Sequence, residues 1–76
     1  MLKKITRKIK ELGIEIEYCY LDSNGYFGID TDKPILFINE NLDEIETSLT
    51  LLHETAHFLN EDGDKYITNH FQNDNL

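Results

Sequence analysis

Covalent and conformational staples are scarce in this chain. Its 76 residues contain one cysteine, Cys19, one proline, Pro34, and no tryptophan. A lone cysteine cannot close an intrachain disulfide, which excludes the cross-linked scaffolds of small secreted domains and fits a reducing compartment. Nowhere does an apolar run approach the ~20 residues of a membrane-spanning helix, and the N-terminus lacks the hydrophobic stretch of a signal peptide. The expectation is a cytoplasmic chain without a membrane partner. Positive charge is scarce too: seven Lys and Arg stand against fifteen Asp and Glu, for a net charge of −8. Five of those seven, Lys3, Lys4, Arg7, Lys8 and Lys10, crowd the beginning of the chain. An acidic body repels phosphates over most of its surface, so direct nucleic-acid binding is not expected. The basic cluster reads as the solvated face of a helix.

Apolar residues make up 39% of the chain, enough for one small globular domain. A core this small can draw stability from a metal, a partner or additional chain. Leu2, Ile5, Ile9 and Leu12 recur at helical spacing ahead of Gly13, which predicts a helix over residues 2–12. Ile14, Ile16, Tyr18 and Tyr20 alternate with Glu15, Glu17 and Cys19, the period of a half-buried strand. Tyr18, Tyr20, Tyr26 and Phe27 are expected to pack in the core and sheet, and Cys19 to be a structural strand residue whose acidic neighbours disfavour a thiolate. Residues 22–25 form a turn signal, residues 26–30 a second strand, residues 31–34 another turn, and Ile35-Leu36-Phe37-Ile38 a buried strand. Asn41 with Glu44 three residues on reads as a capping box. From there Leu42, Ile45, Leu49, Leu52, Ala56 and Leu59 mark the buried stripe of a helix running to about Asn60. The connections look too short for parallel crossovers. The fold expected is therefore α+β: an N-terminal helix, a small antiparallel sheet of about three strands, and a long second helix packed on it.

That helix carries His53-Glu54-Thr55-Ala56-His57, an H-E-x-x-H motif. Residues four apart share one helical face, so His53 and His57 can grip one ion, while Glu54 is rotated about 100° and stays off the metal. Zinc held by neutral imidazoles with an open position brings the acidity of water towards neutrality. Glu54 would then be the general base that takes the proton as water attacks a peptide carbonyl.

The run from Ile35 to Phe58, a short apolar strand ending in Asn39 followed by Thr50-Leu51-Leu52-His53-Glu54-Thr55-Ala56-His57-Phe58, resembles the ImmA/IrrE family of metallo-endopeptidases. The resemblance covers residues 12–62. It implies a zincin-type active-site helix, zinc as cofactor, His53 and His57 as ligands and Glu54 as catalytic base. It also implies a cytoplasmic hydrolase of phages or other mobile elements that cleaves or inactivates a helix-turn-helix transcriptional repressor.

The family takes its third metal ligand from a Glu on a later helix, and this chain has no Glu after Glu61. Matching Thr68-Asn69-His70-Phe71 to the family's pattern puts Ile67 where that Glu belongs. Three sources stay open: Asp64, His70, or a Glu beyond Leu76 if the sequence is the N-terminal part of a longer peptidase. A metzincin arrangement is excluded, because it needs His at Gly63 and Gly at Asn60. With two ligands only, the ion is held loosely and peptidase activity is expected to be poor. The competing reading is a non-catalytic interaction module on the same scaffold; the missing third ligand and the small size favour it, whereas the intact Glu54 favours the enzyme, since a metal staple needs no base.

Overall fold

Helix α1 (Leu2–Glu11) gathers Leu2, Ile5 and Ile9 on its inner side and leaves its lysines in water. It stops at Leu12 and Gly13, whose φ of 88° is a left-handed conformation that glycine adopts without strain. A computed structural model of the chain describes residues 1–62. After α1 come strands β1 (Glu15–Cys19), β2 (Gly25–Asp30) and β3 (Lys33–Asn39), then helix α2 (Glu44–His57), which runs on into a wider π-helical turn (Phe58–Asp62). Among the described residues no helix is long and apolar enough to cross a membrane.

The fold is α+β and its sheet has three strands, but their pairing is mixed rather than antiparallel throughout. The strand order is β1-β3-β2. β3 lies antiparallel to β2 and parallel to β1, with Glu15 opposite Ile35 and Cys19 opposite Asn39. No helical crossover is needed, because β2 itself is the return leg between the two parallel strands. The physical reason for the order is composition. β3 is the continuously apolar strand and takes the centre, where it has a neighbour on each side; the alternating strands take the edges. The β2–β3 turn is tight: Thr31 and Asp32 sit at φ of 55° and 72°, the mirror-image turn that suits strand twist. Pro34 falls one residue before the β1 ladder begins at Ile35, so its missing N–H takes nothing from that pairing.

Ile9 and Ile14, Leu36 and Ile38 of β3, and Leu51 and Phe58 form one core cluster, with Phe27 stacked on Phe58 at 4.6 Å between ring centres. Both helices cover the same sheet: α1 packs on β1, α2 on β3 and β2, and the helices pack on each other. Phe27 packs against the core as expected, but Tyr18, Tyr20 and Tyr26 do not; all three are exposed, Tyr26 lying stacked on Phe37. β1 and β2 are edge strands with a single neighbour each, which leaves their outlying side chains in water.

Two expectations about α2 are corrected. Its N-cap is Asp43, not Asn41. Asp43 Oδ1 accepts from the Glu46 amide at 2.8 Å, and the Asp43 amide donates to Glu46 Oε1 at 3.4 Å. The same box chemistry starts two residues later because Asn41 is engaged elsewhere, its amide donating to Asn39 Oδ1 at 2.9 Å. The second correction concerns the buried face. Thr47, Ser48, Thr50, Leu51, Thr55 and Phe58 face the protein, whereas Ile45, Leu49, Leu52, Ala56 and Leu59 are exposed. The helix is rolled by about 130°, more than a third of a turn, from its hydrophobic stripe. Small hydroxyl residues on the inner face let α2 lie close to the sheet: a Cβ on Gly25 would come within 2.8 Å of the Phe37 carbonyl oxygen and 3.0 Å of Thr50 Cγ2.

Candidate metal centre

The H-E-x-x-H residues occupy the last turn and a half of α2, and the roll of the helix decides where they point. Both histidines are exposed, and Glu54 between them is half-buried. The rings of His53 and His57 stand edge to face, 4.6 Å between centroids. Zinc–nitrogen bonds are about 2.1 Å, so two imidazoles on one tetrahedral ion have ring centres about 5 Å apart. The pair therefore fits a shared ion with small side-chain adjustment. Among the described residues no third His, Cys, Asp or Glu joins them in a metal-holding group. Asp64 and His70 lie outside the described residues.

His53 and Glu54 also form one wall of an open cleft of about 580 Å³, together with Thr50. The facing wall is the β1–β2 loop at Ser23, Asn24 and Gly25. That loop is held by a residue whose role the sequence did not disclose. Asn39, the last residue of β3, donates from Nδ2 to the Leu21 carbonyl at 3.3 Å and to the Ser23 carbonyl at 3.2 Å. Its backbone amide donates to the Asn24 carbonyl at 2.8 Å. Its Oδ1 meanwhile receives the Asn41 amide on the way into α2. One side chain thus ties the cleft wall to the lead-in of the motif helix. The signal available in the sequence was an asparagine ending an apolar strand, a residue suited to bonding nearby backbone. Gly25 was legible only as part of a turn; its close approach to α2 needs three dimensions.

A mixed three-stranded sheet that carries an H-E-x-x-H helix across it, with His53 and Glu54 on the wall of a cleft and His57 beside His53, fits a metallopeptidase-like scaffold. The family model of the IrrE N-terminal-like domain matches residues 9–75, and the chain belongs to that metallopeptidase family. No curated protein and no solved structure matches it significantly.

Proposed function

We propose that the chain is a zinc-dependent endopeptidase whose substrate is a helix-turn-helix transcriptional repressor of a phage or mobile element. The observation that carries the reading is the H-E-x-x-H pair of imidazoles, edge to face at 4.6 Å, with Glu54 beside them on a cleft wall. His53 and His57 would hold zinc, which when bound supplies Lewis acidity to water and to a peptide carbonyl. The Glu54 carboxylate takes the proton of the attacking water and returns it to the leaving amine. Thr50 and the loop from Ser23 to Gly25 confine the peptide, and the tie through Asn39 holds that loop in place. A catalytic zinc takes three protein ligands; Asp64 and His70 are the candidates that the sequence offers outside the described residues.

Zinc titration of the full chain, followed by incubation with a repressor encoded beside it, tests this reading. His57→Ala should lower zinc affinity by at least about tenfold, since half the described ligand set is gone. Glu54→Gln should keep zinc but slow cleavage by about 10²–10⁴-fold, the usual contribution of a general base. Equal zinc affinity in wild type and His57→Ala removes the metal site. Cleavage indifferent to Glu54→Gln removes the mechanism, and zinc binding without any cleavage leaves the interaction-module reading.

A further inference from the structure

The five cations of α1 fall on two flanks of the helix. Lys3, Arg7 and Lys10 follow one another at steps of four and three residues, within about 60° of the helix surface. Lys4 and Lys8 lie on the neighbouring flank, beside an apolar groove between α1 and α2. The first set lines a different opening, a cleft of about 690 Å³ shared with Tyr18 of β1 and with Glu44, the first residue of α2. No residue of the H-E-x-x-H motif lines it. Two features of this cleft have no account in the packing. All three cations are exposed, and none makes an ion pair among the described residues, although the chain has fifteen acidic side chains. Like charges at these spacings repel along a helix. The second feature is Tyr18. It stands on the side of β1 that faces the helices, in phase with the buried Ile14 and with Ile16. A ring in that phase belongs in the core, yet Tyr18 is 45% exposed and stacks on no other ring among the described residues.

We propose that this cleft binds a nucleotide, a nucleoside di- or triphosphate, with its phosphates on Lys3, Arg7 and Lys10 and its base on Tyr18. The volume lies within the usual range of about 300–1,000 Å³ for small-molecule sites. Lys3 to Lys10 covers about 10 Å of helix, so three long side chains can converge on linked phosphates. The Arg7 guanidinium offers a two-pronged contact to phosphate oxygens, and the lysines add point charges. A short polyanion thus supplies the counter-charge that the fold withholds. The exposed face of a tyrosine is a platform on which any base can stack. Glu44 repels phosphate and accepts hydrogen bonds from ribose hydroxyls or an exocyclic amine, which favours one orientation of the ligand. A nucleic-acid strand fits less well. Residues 13–62 carry twelve acidic side chains against Lys33 alone, a body that repels a long phosphate backbone leaving the cleft. Inorganic triphosphate shares the phosphate chemistry but leaves Tyr18 without a role.

The test titrates the full chain with ATP, with inorganic triphosphate and with a short oligothymidylate, by calorimetry and by amide chemical shifts, with EDTA present so that no metal contributes. ATP should bind saturably to one site, and in the unsubstituted chain the shifts should centre on Lys3, Thr6, Arg7, Lys10 and Tyr18 rather than on His53 and His57. Arg7→Gln with Lys10→Gln should weaken ATP at least about tenfold, as two charge-assisted contacts are lost. Lys4→Gln with Lys8→Gln, the same change of charge on the other flank, should weaken it less than about twofold, since only a screened field is altered. Tyr18→Leu should cost about fivefold or more for ATP through lost stacking and leave triphosphate within about twofold. Absence of saturable ATP binding at millimolar concentration overturns the proposal, as does equal weakening by the two paired substitutions. ATP and triphosphate binding alike, with Tyr18→Leu indifferent, reduces the cleft to a phosphate site and overturns the nucleotide. Tighter binding of oligothymidylate than of ATP assigns the cations to a nucleic-acid strand and overturns it too.

Discussion

The two flanks of α2 reverse the usual composition of a surface helix. The flank against the sheet is built from Thr47, Ser48, Thr50 and Thr55 around a single large anchor, Leu51, whereas the outward flank carries the leucines and an isoleucine. The difference teaches that the face of a helix that meets a sheet need not be its most apolar one. On the inner side, small residues permit close approach to the strands, and dispersion contacts of Leu51 with Leu36 and Ile38 supply the grip. On the outer side, Leu52 and Leu59 line the open groove beside α1.

Substitution can break this contrast. Leu51 is fully buried and Leu52 is 49% exposed. Leu51→Ala should cost about 2–5 kcal/mol, a large share of the stability of a domain this small, and much of the population should unfold in urea. Leu52→Ala should cost about 1 kcal/mol or less, because half of its surface is already in water. Equal costs in urea titrations would erase the distinction between the flanks. Next in size is the closeness of the inner flank. Gly25→Ala must displace the Phe37 carbonyl or Thr50 and should cost about 1–3 kcal/mol. Gly28→Ala meets only the edge of the Phe37 ring at 3.2 Å, which can swing aside, so its cost should be smaller. The reverse ranking would mean that the helix does not lie close to β2. Smallest is the cap: Asp43→Ala should lose about 1 kcal/mol and Asn41→Ala no more than about 0.5, measured as shifts in denaturation midpoint.

Much of this was legible in the sequence, for identifiable reasons. The H-E-x-x-H motif was visible because metal geometry fixes its spacing. β3 was visible because four consecutive apolar residues leave few alternatives, and α1 because its period is clean. What escaped depended on competition between elements. Strand order required weighing β3 against β1 and β2 for the centre, and the continuous run at residues 35–38 was the clue that the notion of a simple antiparallel meander overlooked. The roll of α2 escaped because the buried stripe was drawn from Leu, Ile and Ala alone, although the small size of Thr47, Ser48, Thr50 and Thr55 lets them pack. The cap slipped because Asn41-x-x-Glu44 and Asp43-x-x-Glu46 obey the same rule, and only the prior engagement of Asn41 by Asn39 decides between them. Asn39 itself could not be assigned its carbonyl partners, since they come from a loop sixteen to eighteen residues upstream.

Asn39 has a consequence for how this chain can change length. Side chains alternate along β3, so inserting or deleting one residue there would send Leu36 and Ile38 to the wrong side of the sheet. The same slip would carry the asparagine away from the carbonyls of Leu21 and Ser23, unfastening the cleft wall at the moment the core is lost. Core and cleft are thus written on alternate residues of one strand and share a single reading frame of two. Length variation is intolerable between Ile35 and Asn39, and an insertion at Asp22 would part the two carbonyls that Asn39 holds.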